Sequence, residues 1–208
     1  MGESIRVEAF LHSEFTFDMN WYSMDMRFNE TKATQAAAHL IKRRGQGYMS
    51  YMKLMKLLYF ADREALLRWG SPITADTFYS MDRGPVLSRV LDLVTEGPSP
   101  SEPQFWEQHL QPQANHEVKM IADPSNGDLS EVEEELLDEV FNKFGRLSRW
   151  KIVEEAHKLP EREDPRGSRI QINYSDILRH GNKTPAQIEA ILQNLQASEH
   201  VHKVLATR

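Results

Sequence analysis

Asp62 is the residue best placed to do chemistry. It lies four positions after Leu58 and four before Leu66, which puts a carboxylate on an apolar helical face. A buried carboxylate must be paired or hydrogen-bonded, because stripping its water otherwise costs several kcal/mol. Arg83 is the first candidate partner, and His39 on the preceding helix is the second. The favoured reading is an ion pair that fixes helix packing. An uncharacterised enzyme centred on Asp62, His39 and Arg83 is the competing one.

Other chemistries find little support. His39, His109, His116 and His157 are isolated, without the i, i+3 or i+4 spacing of helical metal ligands. The chain has no cysteine, so thiolate metal sites, disulfides and a Cys nucleophile are excluded. There is no G-x-S-x-G elbow, no Walker A loop and no G-x-G-x-x-G turn. No catalytic residue, metal or cofactor is therefore expected.

The elements that must hold Asp62 are mostly helical. Asn29 caps a first helix with an apolar stripe of Ala33, Ala36, Ala37, Leu40 and Ile41, ending at Gly45. A second helix is predicted from about Tyr48 to Trp69. Tyr51, Met52, Met55, Leu58, Tyr59 and Leu66 share one face of it, and Leu54, Leu57 and Ala61 another, so it should be central and buried. Thr74–Met81 alternates as a short strand, half of a small hairpin, and His116–Ile121 is the strand expected to face it. Gly84-Pro85 is expected to open a helix carrying Val86, Leu87, Val90, Leu91 and Val94.

Glu96–Pro103 is a loop, with three prolines and two serines. Ser130-x-x-Glu133 is a capping box for a helix stopped at Gly145. A further helix over Ser148–Lys158 carries Trp150, Ile152, Val153 and Ala156, a polar loop spans Glu161–Ser168, and Thr184-Pro185 opens a terminal helix. The predicted fold class is mainly α, with a small β-hairpin.

The 208 residues suffice for one domain with appendages, and 40% hydrophobic against 27% charged residues is a globular composition. A net charge of −6 counts against general nucleic-acid binding. The richest apolar stretch, Met52–Phe60, is interrupted by Lys53 and Lys56 and is far too short to span a membrane. Glu3 and Glu8 stand where a signal peptide would be basic, so a cytoplasmic protein is expected. Residues 1–27 form an aromatic arm containing Phe15, Phe17, Trp21 and Tyr22. It lies on the main body or contacts a partner.

Several motifs carry a resemblance. They are Lys53-Leu54-Met55-Lys56-Leu57-Leu58-Tyr59-Phe60-Ala61-Asp62-Arg63, then Pro72-Ile73-Thr74-Ala75-Asp76, then Met81-Asp82-Arg83-Gly84-Pro85-Val86. In that order they resemble the Panacea domain of SocA-like antitoxins, also known as phage-associated proteins. Trp150-Lys151-Ile152-Val153 and His157-x-x-Pro160 fit the same pattern, so the likeness covers about residues 28–165, leaving 166–208 as a helical extension. Arg162 and Glu163 depart from it, standing where an aromatic is expected.

The resemblance implies a non-enzymatic antitoxin that neutralises a cognate toxin by direct binding. It also implies alternatives acting through protein binding, either as an adaptor delivering the toxin to a protease or as a transcriptional regulator. By matching, Lys53, Tyr59, Asp62, Arg63, Asp76, Arg83, Gly84 and Pro85 are the fold-defining positions. The expected partner-binding residues are Phe15, Phe17, Trp21 and Tyr22 on the arm, with Arg43, Arg44 and Lys53 on an exposed basic face.

Overall fold

The computed structural model describes residues 27–96 and 105–206. The aromatic arm and nearly all of the Glu96–Pro103 loop lie outside the described residues. Within them the fold is mainly α, with eight helices and two small antiparallel sheets.

Helix α1 (Glu30–Arg44) starts where Asn29 Oδ1 accepts from the Lys32 N–H at 2.9 Å, and it ends at Gly45, whose φ is +78°. Its Ala33, Ala36, Ala37, Leu40 and Ile41 are fully buried, and the alanines let neighbouring helices approach closely. Strand β1 (Tyr48–Ser50) takes the three residues that periodicity assigns to the start of the second helix. It pairs with β5 (Glu117–Met120), and Met49 sits fully buried opposite Val118. A partner distant in sequence overrides local helix preference there.

Helix α2 (Tyr51–Trp69) is central, and every residue from Met52 to Asp62 is buried. Burying each of Leu54, Leu57 and Leu58 contributes about 1.5–3 kcal/mol relative to exposure.

Strands β2 (Phe78–Met81) and β3 (Gly84–Leu87) form a hairpin across the turn at Asp82-Arg83, with Met81 opposite Gly84 and Tyr79 opposite Val86. Gly84-Pro85 therefore opens a strand, not the expected helix. Gly84 has φ +86°, and a Cβ there would lie 3.0 Å from His157 Cδ2, so only glycine fits. The helix, α3 (Ser88–Thr95), begins after the hairpin closes. The expected facing of Thr74–Met81 by His116–Ile121 is also corrected. β5 lies between β1 and β4 (Leu110–Gln113), whereas β2 lies between β3 and β6 (Ile170–Ile172). Alternation marks a strand but carries no information on which strand it meets.

A short helix α4 (Phe105–His109) precedes β4. Helix α5 (Glu131–Phe144) opens with the capping box, in which the Ser130 N–H donates to Glu133 Oε2 at 2.9 Å. Glu133 also accepts from Lys32 Nζ of α1 at 2.7 Å. Glu133→Ala should therefore cost about 1–2 kcal/mol, lowering the melting temperature by roughly 2–8 °C for a chain of this size. A thermal melt against Val132→Ala, an exposed site on the same turn, checks this; equal melting of the two variants would count against the box.

Helix α6 (Arg149–His157) buries Ile152, Val153 and Ala156. Trp150 lies off that face and is 53% exposed, correcting its place in the expected apolar set. The C-terminal residues join the same core. β6 pairs with β2, helix α7 (Tyr174–His180) buries Ile177 and Leu178, and helix α8 (Pro185–Ala206) buries Leu192 and Leu195.

Candidate functional site

The turn after α2 is organised by two buried carboxylates. Asp62 Oδ1 accepts the Ile73 and Thr74 N–H groups at 2.9 and 3.0 Å, and its Oδ2 accepts the Thr74 hydroxyl. Neither expected partner is there. Arg83 is exposed, its guanidinium 5.8 Å from the Trp150 ring centre, and His39 Nε2 pairs with Asp138 at 2.8 Å. Backbone N–H groups already inside the turn supply the compensation, so no guanidinium has to be desolvated. Burial raises the Asp62 pKa to about 6 against the pull of these hydrogen bonds.

Asp76 works the same way on α3. Leu87, at the helix N-cap, has no side-chain acceptor, and Asp76 supplies one from a distance. Its two oxygens accept the Arg89 and Val90 N–H groups at 2.9 and 3.0 Å. Burial pushes its pKa up to about 7. Tyr174 of α7 donates its hydroxyl to the Asp76 carbonyl at 2.8 Å, tying the C-terminal elements to this turn.

Further along, α2 is locked to the chain beyond α6. Glu161, its side chain fully buried, accepts from Arg63 Nε at 2.6 Å and from the Tyr59 hydroxyl at 3.1 Å. Periodicity places Glu161 in a polar loop; Tyr59 and Arg63, one helical turn apart, are the signal in the sequence for a shared acceptor. Lys56, only 1% exposed, donates to the Pro85 carbonyl and holds β3 against α2. Burial lowers its pKa to about 7. Tyr59, Asp62, Arg63, Asp76, Gly84 and Pro85 are thus brought together as scaffold, with Thr74, Lys56 and Glu161 as the members that sequence reasoning missed. Arg83 stands outside this frame.

The turn around Asp76 offers little room for a substrate. The cavity bordered by Asp76, Phe78 and Tyr174 holds about 30 Å³, roughly one water. Among the described residues, no group of three His, Asp or Glu side chains is placed to hold a metal ion, and no helix is long and apolar enough to cross a membrane.

The surface is where the expected contact residues separate. Phe15, Phe17, Trp21 and Tyr22 lie outside the described residues. Arg43 is exposed and pairs with Asp138 at 2.9 Å. Arg44 turns away to stack on Tyr48, 5.3 Å from its ring centre. Lys53 is buried, not exposed as expected. It belongs to the core-facing run of α2, and its ammonium donates to the Leu147 carbonyl at 2.7 Å. Trp150 instead forms the prominent aromatic surface, flanked by Arg83 and by Arg149 at 5.3 Å.

No curated protein and no solved structure matches the chain. The family model described as "Antitoxin SocA-like, Panacea domain" matches residues 54–161, just over half the chain. That span begins within α2 and ends at Glu161, the carboxylate that clamps the chain back onto α2. It contains both buried aspartates and the Gly84-Pro85 hairpin. The chain therefore belongs to the family of SocA-like antitoxins that share the Panacea domain.

Proposed function

We propose that this protein is an antitoxin that neutralises a toxin protein by direct binding, without catalysis, through the surface centred on Trp150. Membership of an antitoxin-like family supports such a role. The observation that carries the reading is Trp150 itself, a 53% exposed indole between two guanidinium groups. Trp and Arg are enriched among the few residues that dominate binding energy. The buried carboxylates, in contrast, are engaged by backbone N–H groups and serve the fold.

Trp150→Ala is expected to weaken toxin binding at least about 30-fold, as the loss of a hot spot does, while the melting temperature stays within a degree or two. Co-expression with the toxic product of an adjacent reading frame, scored by colony formation and by titration of the purified pair, measures both effects. Full neutralisation by the variant removes this surface from the mechanism. A stable toxin level during rescue supports masking, whereas a falling one points to delivery to a protease.

A further inference from the structure

A second surface feature lies beside Trp150. Arg44, Lys53, Arg146 and Arg149 line a cleft of about 570 Å³ between the end of α1, the start of α2 and the α5–α6 connection. We propose that this cleft receives an acidic segment of a protein partner, its carboxylates seated on Arg44, Arg146 and Arg149, with the buried Lys53 adding its positive charge. The proposal rests on the reading of the protein as a partner-binding one, and names the chemistry of what it binds.

Clustering sets this cleft apart. Elsewhere on the surface many cations have carboxylate partners, among them Lys32 with Glu133, Lys42 with Asp123, Arg43 with Asp138, Arg68 with Glu139 and Arg179 with Asp176. Among the described residues, none of the four cleft cations lies within 4.0 Å of a carboxylate, and Glu117 is the sole acid in the lining. This concentration of positive charge occurs in a chain of net charge −6. Like charges held together without an anion repel, and that repulsion is relieved when one binds. Lys53 registers the strain: burial, then the nearby Arg44, hold its pKa below the usual lysine value.

Donors converge on the same space. Ser50, the N-cap residue of α2, lines the cleft with a buried hydroxyl that has no hydrogen-bond partner. Ser148, the N-cap residue of α6, lines it too, so the positive ends of two helix dipoles face the cleft. The volume far exceeds that of a single phosphate and admits several side chains. Nucleic acid needs a continuous cationic track to displace counterions, and here four cations are gathered in one recess. Arg149 both lines the cleft and flanks Trp150, so one partner can place an apolar anchor on the indole and acidic residues in the cleft.

The test is a titration of the full chain with a hexaglutamate peptide, and with hexaglutamine as the neutral match, at low salt and at about 0.15 M ionic strength. Hexaglutamate should bind, weaken with salt, and lose about tenfold or more in affinity on the double change Arg44→Glu and Arg146→Glu. Arg179→Glu, outside the lining, should leave binding unchanged. If the double variant fails to fold, Arg146→Ala at an exposed position serves in its place and should weaken binding measurably.

Equal binding of the reversed variant or of hexaglutamine overturns the proposal. So does tighter, cleft-dependent binding of oligodeoxythymidine, which would make the site a nucleic-acid one, or complete displacement of the peptide by stoichiometric inorganic phosphate. No toxin enters this titration, so its failure leaves neutralisation through Trp150 standing, and failed neutralisation leaves the cleft standing.

Discussion

Asp62→Ala is expected to lower stability by about 3–5 kcal/mol, enough to unfold much of the protein population. The carboxylate is fully buried and accepts from the Ile73 and Thr74 N–H groups and from the Thr74 hydroxyl. Alanine leaves these donors without an acceptor in a place water does not reach. Each orphaned buried donor costs about 1–3 kcal/mol, partly offset because a desolvated charge is also removed. Asp62→Asn keeps one carbonyl oxygen for the backbone pair, and its amide can donate to the Thr74 oxygen, so it should cost only about 1–2 kcal/mol. Urea unfolding of the two variants checks the order. Wild-type stability in Asp62→Ala would end the scaffold role. A folded Asp62→Asn protein that no longer neutralises its toxin would revive the enzyme reading.

Lys56→Met is expected to stabilise the protein near neutral pH, on the order of 2 kcal/mol. Lys56 is almost wholly buried with the Pro85 carbonyl as its hydrogen-bond acceptor. Burial lowers its folded pKa from 10.5 to about 7. Between those values the unfolded chain binds the extra proton, so the Lys56 contribution to stability rises with pH. Below about pH 7 the full penalty of a buried ammonium is present.

The two aspartates have the opposite sign. Their folded pKa values are raised from 3.8 to about 6 for Asp62 and about 7 for Asp76. The native state therefore holds those protons longer, and their contribution falls as pH rises through that interval. Together the three groups stabilise least near pH 7. The difference in melting temperature between Lys56→Met and the unmodified protein should be largest at and below pH 7 and close toward pH 10. A difference that does not vary with pH would mean that folding leaves the Lys56 pKa unshifted.

The residues at which sequence reading succeeded and failed share a pattern. The caps of α1 and α5 were legible because Asn29 and the Ser130–Glu133 box act within one turn of the backbone they satisfy. The burial of α2 was legible because apolar residues on two faces admit no other placement. β1, β6 and α7 were not, since their three to seven residues are held by distant partners: β5, β2 and the core under α2. Gly84-Pro85 suits a helix start equally well in isolation, and the hairpin with Phe78–Met81 decides otherwise.

Sequence by itself determined the helical class, the central two-sided helix and the need to compensate a carboxylate at position 62, because periodicity and desolvation act on each residue alone. Tertiary structure alone decided who compensates it, and which cations remain without a counter-charge. Arg83 was the expected partner of Asp62, yet it lies out beside Trp150, while the amides of Ile73 and Thr74 close on the acid. Lys53 was expected at the surface and is buried; Arg146 and Arg149, far from it in sequence, meet it at one cleft. Hydrogen bonds and charge pairs depend on distances of a few ångströms, and only the folded chain sets those between residues tens of positions apart.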